Sequence, residues 1–154
     1  MTVMRCETRF SVDRTRLPGR ELMLAAFRGL ADGYHPVLHA AAELAVLHQV
    51  RDRTPTFEAP GIDRRRAQLM RAIDRWVILA APLPSATAAE HCETLGMLVD
   101  RLAAHSVRLF VTMADATDAQ FYDEWARLDD LAESYQRLID DLWAGSRCLP
   151  SVVY

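Results

Sequence analysis

The side chains of this chain best placed to do chemistry are polar residues that fall where helical periodicity calls for apolar ones: His48, Asp52, Arg66, Asp74, His91, Glu93 and Asp100. At about 100° per residue, the stretch ETLGMLVDRLAAHSVRLFVTM from Glu93 to Met113 carries two apolar stripes. One is Leu95, Val99, Leu102, Leu109 and Met113; the other, roughly opposite, is Met97, Ala104, Val107 and Val111. A helix apolar on nearly every side is normally buried, and Glu93 and Asp100 fall within its second stripe. Carboxylates taken out of water need partners. Arg66 sits amid an arc of Ile62, Leu69, Ile73, Trp76, Val77 and Ala80, with Asp63 and Asp74 at its margin. His48 and Asp52 continue the arc of Val37, Ala41, Leu44 and Ala45, while His91 and His105 share the first stripe and Glu124 interrupts the last helix.

Such a set could bind a small anion and move a proton. Arg66, helped by Arg51 or Arg53 and with Asp74 in the same binding set, would hold a carboxylate, phosphate or sulfate bidentately. Asp100 or Glu93 would serve as general base and His48 or His91 as proton carrier. The same residues admit a structural reading: hydrogen-bonded core histidines, a buried ion pair of Arg66 with Asp100 or Glu93, and Asp52 and Asp74 wetted at helix ends. Either way Glu93, Asp100 and Arg66 are expected in one connected network, because isolated charges on buried arcs are too costly.

The elements that would position them are helices. An extended arm is predicted over residues 1–17, and one helical domain over 18–150, with a short tail at 151–154. A first helix runs from Arg20 to about Ala31, broken by Gly33. A second starts at Pro36, which suits a first turn, and stops at about Arg53. TPTFEAPG reads as a loop, and the third helix spans about Ile62 to Ala80. Ser85 or Thr87 would cap a fourth reaching about Ala114; Thr117 or Asp118 would cap a fifth ending near Ala144, before Gly145. Short loops between long helices give an all-α fold, an antiparallel four- to five-helix bundle.

Composition narrows the function. A chain of 154 residues, 51% hydrophobic with a net charge of −3, is long enough for one packed core and is not globally disordered. It has no apolar run of membrane-spanning length and no signal-peptide core, so a cytoplasmic protein without membrane contact is expected. The 3 cysteines, Cys6, Cys92 and Cys148, are too scattered for a disulfide framework or a CxxC site. All 18 cationic residues are arginine, which excludes Schiff-base lysines and Walker-type phosphate loops. His35, His39 and Glu43 have metal-compatible spacing but lie off the buried arc, and no metal or cofactor is expected. The run Asp63-Arg64-Arg65-Arg66 lacks interleaved aromatics in an acidic chain, so nucleic acid is not an expected partner. Trp76, Val77, Ile78 and Leu79 make the end of the third helix apolar on all sides, which predicts a homodimer or a heteromeric helical partner.

The segments AELAVLHQVRD, IDRRRAQLMRAIDRWV and HCETLGMLVDRLA, in that order and separated by proline-rich breaks, resemble actinobacterial members of DUF4254, a bacterial family of unknown function. The resemblance covers about Pro18 to Pro150 and implies an all-helical fold. It implies no activity, and the Asn-rich signatures of the broader family have no counterpart here. By analogy of context, a small enzyme or enzyme subunit in natural-product biosynthesis, acting on a small anionic metabolite, is one reading. A non-catalytic binding or assembly protein whose inward polar residues are structural is the other.

Overall fold

The computed structural model describes residues 14–31 and 35–151. Among these, five α-helices form the protein: α1 (Arg20–Phe27), α2 (Pro36–Arg53), α3 (Ala59–Ala80), α4 (Leu95–Asp115) and α5 (Asp118–Ala144). Helices α2, α3 and α4 pack on one another, α5 packs along α4, and α1 lies across α2 and α5. The ion pairs Arg65–Glu43 and Arg51–Asp63 set α2 antiparallel to α3. The contacts Asp74–Gly96 and Arg66–Asp100 set α3 antiparallel to α4. None of the described helices is long and apolar enough to cross a membrane. The expected arm falls largely on residues 1–13, outside those described; Leu17, at its end, is buried in the core.

Local chemistry sets the helix ends. The first amides of a helix lack partners within it. His35 Nδ1 accepts the Val37 amide at 3.2 Å ahead of Pro36, and Thr94 Oγ1 accepts the Met97 amide at 3.2 Å. Thr117 and Gln120 make a reciprocal capping box at α5. Helix α1 stops earlier than its periodicity suggests, because Gly29 takes φ +70° and the Leu30 amide turns back to the Ala25 carbonyl. The segment TPTFEAPG is mostly not loop: Thr56–Glu58 form a 3-10 turn and Ala59, Pro60 and Gly61 are already in α3, where proline is tolerated in the first turn.

The start of α4 differs most from expectation. Ser85 and Thr87 cap nothing; the cap is Thr94, and the residues before it form a turn and a two-residue strand. That strand, β1 (Ala89–Glu90), pairs in parallel with β2 (Arg147–Cys148) and ties the approach to α4 to the chain beyond α5. The first of α4's predicted stripes is buried along its first half, widened by Leu98, Ala103 and Ser106, and of the second Asp100 and Val107 are buried. Met97, Val111 and Met113 are exposed, because no helix lies on those sides.

Helices α3 and α4 come close together at Gly96. A Cβ there would lie 2.8 Å from the Met70 Cα and carbonyl carbon, and closer still to its oxygen. The Gly96 amide, left without an intrahelical partner by its place in the first turn, donates to Asp74 Oδ1 at 2.7 Å. Gly96→Ala is therefore expected to lose about 2 kcal/mol or more through forced separation of the helices, outweighing the better helix propensity of alanine. Chemical denaturation of the variant checks this, and a gain in stability would contradict the close approach.

Candidate functional site

One charged network crosses the α2–α3–α4 interface. Asp100, a turn into α4, is buried and accepts Arg66 twice: Nε to Oδ1 at 3.1 Å and Nη2 to Oδ2 at 2.6 Å. This is the bidentate fork that arginine makes with a carboxylate. His48 Nε2 lies 2.9 Å from the same Oδ1. The remaining guanidinium nitrogen, Arg66 Nη1, donates to Asp63 Oδ1 at 3.1 Å, and Arg51 Nε lies 3.5 Å from that oxygen. The chain Arg51–Asp63–Arg66–Asp100–His48 thus runs from solvent inward. Burial pushes the Asp100 carboxyl up, but hydrogen bonds from His48 and Arg66 outweigh it and hold the group below the usual carboxylate range. Arg66 is pushed up in return, chiefly by its bond to Asp100.

The other predicted site residues are elsewhere. Glu93 precedes the Thr94 cap, so the helical phase that placed it beside Asp100 does not apply; it pairs with Arg101 Nη1 at 3.4 Å instead. The expected single network of Glu93, Asp100 and Arg66 therefore holds for the last two only. His91 also lies before α4, in extended chain, where its amide donates to the Cys148 carbonyl at 2.8 Å. Asp74 is buried as a partner of the α4 amides rather than wetted or turned toward Arg66. Asp52 and Arg53 are exposed at the end of α2. His35 is fully buried, its Nε2 2.9 Å from the Arg16 carbonyl and its ring 4.7 Å from that of Trp76; among the described residues no group of His, Cys, Asp and Glu suits a metal ion.

Two features were not anticipated as part of any cluster. Asp63 links the two arginines; its position one turn before Arg66 was the available signal. His105 and Glu124 face each other between α4 and α5 at 3.8 Å, and His105 Nδ1 and Glu124 Oε2 are buried without a hydrogen bond. Burial, then the charge of Arg108, holds the His105 imidazole below its ordinary value.

The fold and this polar cluster define an all-α bundle protein with a charge network built into its helix interface. A family model described as a protein of unknown function, DUF4254, matches residues 58–151, and the chain belongs to that family. The match takes in α3, α4 and α5, with Asp63, Arg66 and Asp100, and leaves α2 with His48 and Arg51 outside. No curated protein and no solved structure matches the chain.

If the network is structural, its members are coupled. Arg66→Met should cost on the order of 3 kcal/mol by stranding the Asp100 carboxylate, and adding Asp100→Asn to that variant should recover about 1 kcal/mol or more. Purely additive effects in thermal unfolding would contradict the coupling. The pH dependence has a fixed sign. A carboxyl held low by folding stabilises above its unfolded value, 3.8, and that contribution disappears as the pH falls below it through the lower folded value. Wild type should lose more stability across this acid window than Asp100→Asn does.

Proposed function

We propose that this chain is a non-catalytic binding or assembly protein, whose inward polar residues hold helix register and whose partner is a second copy or another helical protein. The observation that supports this reading is the occupation of Arg66. All three nitrogens of its guanidinium donate to carboxylates of the same chain, two to Asp100 and one to Asp63. With its Nε–Nη2 fork on Asp100 and Nη1 on Asp63, the charge of this arginine is already matched within the chain, which weakens its hold on a substrate anion. The outward side chains agree: at the end of α3 and just beyond it, Ile78, Leu79 and Leu83 are 67%, 87% and 93% exposed, and apolar patches of that kind mark interaction surfaces.

A second reading, an enzyme or enzyme subunit acting on a small anionic metabolite, has one observation in its favour. His48 Nε2 is fixed on Asp100 while its Nδ1 makes no hydrogen bond among the described residues, an arrangement that orients an imidazole for proton transfer. On this reading the anion would have to displace Asp63 from Arg66.

The two readings part on ligand linkage and mass. Millimolar phosphate, sulfate or a short dicarboxylate should leave the Tm of the wild type unchanged, and light scattering should return a mass above that of one chain as concentration rises. A rise in Tm with one of these anions, as ligand binding to the folded state requires, together with the mass of a single chain at every concentration, would overturn the assembly reading in favour of the enzyme.

A further inference from the structure

The α4–α5 hairpin outruns the rest of the bundle. By the register of Asp74 with Gly96 and Arg66 with Asp100, the first turn of α3 lies level with about Val107 of α4; by that of His48 with Asp100, the end of α2 lies level with about His105. Beyond that level α4 continues to Asp115 and α5 begins at Asp118. No residue from 108 to 127 is buried. Phe110, Val111, Met113 and Trp125 extend the core stripes of the two helices into solvent, and Val111 is 62% exposed. A groove of about 460 Å³ runs between the helices here, with Val111, Thr112 and Asp115 on one wall and Asp123, Glu124 and Arg127 on the other, three carboxylates against one guanidinium.

Several charges of this tip stand without an ion pair among the described residues. Arg108, Asp115 and Asp123 make no ion pair among the described residues, which Arg127 does only with Glu124 at 3.3 Å. Arg108, Val111, Thr112 and Asp115 stand at i, i+3, i+4 and i+7, on one face of α4. This stripe is its own complement. About a two-fold axis passing between Val111 and Thr112, an antiparallel copy sets Arg108 against Asp115 and Val111 against Thr112. Both ion pairs form together, about 10 Å apart along the helix, with Val111 and Thr112 of each copy between them. An isologous interface requires this kind of self-match, and an unrelated helix would have no reason to carry the opposite charges at this spacing.

We infer that a second copy of this chain docks antiparallel along the outer stripe of α4, the Arg108 of each copy entering the acidic groove of the other beside Asp115. This inference rests on the assembly reading and names its partner. Arginine suits the role, since its fork can bridge Asp115 and the neighbouring acidic wall of the groove.

Charge reversal tests it by sedimentation equilibrium. Arg108→Asp alone and Asp115→Arg alone each place two like-charged contacts in the dimer and should weaken dimerisation about tenfold or more. The double variant Arg108→Asp/Asp115→Arg should return to within about threefold of wild type, since reversing both partners restores the pairing. Mixing the two single variants should yield a heterodimer that neither forms with itself, an outcome specific to the antiparallel two-fold pairing. All four positions of the stripe are away from the buried core, so circular dichroism should match the wild type. A wild-type dimer indifferent to the single reversals, or a double variant as weak as the singles, would overturn this interface while leaving the assembly reading standing. A wild type that stays monomeric at every concentration would overturn this inference, and would overturn the assembly reading as well if an anion also raised its Tm.

Discussion

The Asp100 carboxylate is the constraint around which the bundle is arranged. An ionised carboxylate removed from water costs several kcal/mol unless its lone pairs are met by good donors. Its donors come from two other helices: the guanidinium of Arg66 on α3 and the imidazole of His48 on α2. Both reach it only at one axial position and one rotation of three helices. A slip by one turn of α3, about 5.4 Å, would take the Arg66 fork away from Asp100 and leave that buried carboxylate with His48 alone. The network therefore contributes more to the uniqueness of the packing than to its net stability, the role best attested for buried polar groups that set registry.

Gly96 reinforces the same register by a different physical route. Its lack of a side chain lets the α4 backbone approach Met70, and Asp74 takes up an amide that the first turn of α4 leaves unpaired. One contact is steric and the other electrostatic, yet both require the same alignment of α3 with α4. Agreement between independent local preferences is what separates a single packed state from a collection of similar ones. The small Ala40, Ala41, Ala45 and Ala103 side chains in the core allow helices to come close enough for these short polar contacts.

The helical architecture was legible because caps and periodicity agree for α2 and α5. Pro36 and Thr54-Pro55 bracket α2, and Thr117 and Gly145 bracket α5, as their chemistry predicts. The inward positions of Asp100, Arg66 and His48 followed from the same periodicity. Glu93 and His91 were misplaced for one reason: Thr94, Thr87 and Ser85 are all competent caps, and what selects Thr94 is the pairing of β1 with β2, a contact between residues far apart in sequence. Periodicity also left open which side of α4 is covered. The apolar second stripe was legible, but Val107 within it is buried and Val111 exposed because α2 and α3 end near the level of Val107, a consequence of the register and not of any local signal.

Whether a cluster of Arg, Asp and His is a site or a brace is decided by what its donors still have to give. In sequence, Arg66 beside carboxylates and histidines reads equally well as an anion clamp or a buried pair, since the residue types are the same. The two would differ at the guanidinium edge: a clamp keeps a fork open toward a cavity, whereas here Asp100 takes one fork and Asp63 the third nitrogen. The exclusive use of arginine sharpens the contrast. A lysine at position 66 could neutralise Asp100 with one point charge but could not span both its oxygens and reach Asp63 as well. The planar fork lets one side chain join an interior carboxylate to a surface one, so the network ends in solvent and not in an unpaired buried charge.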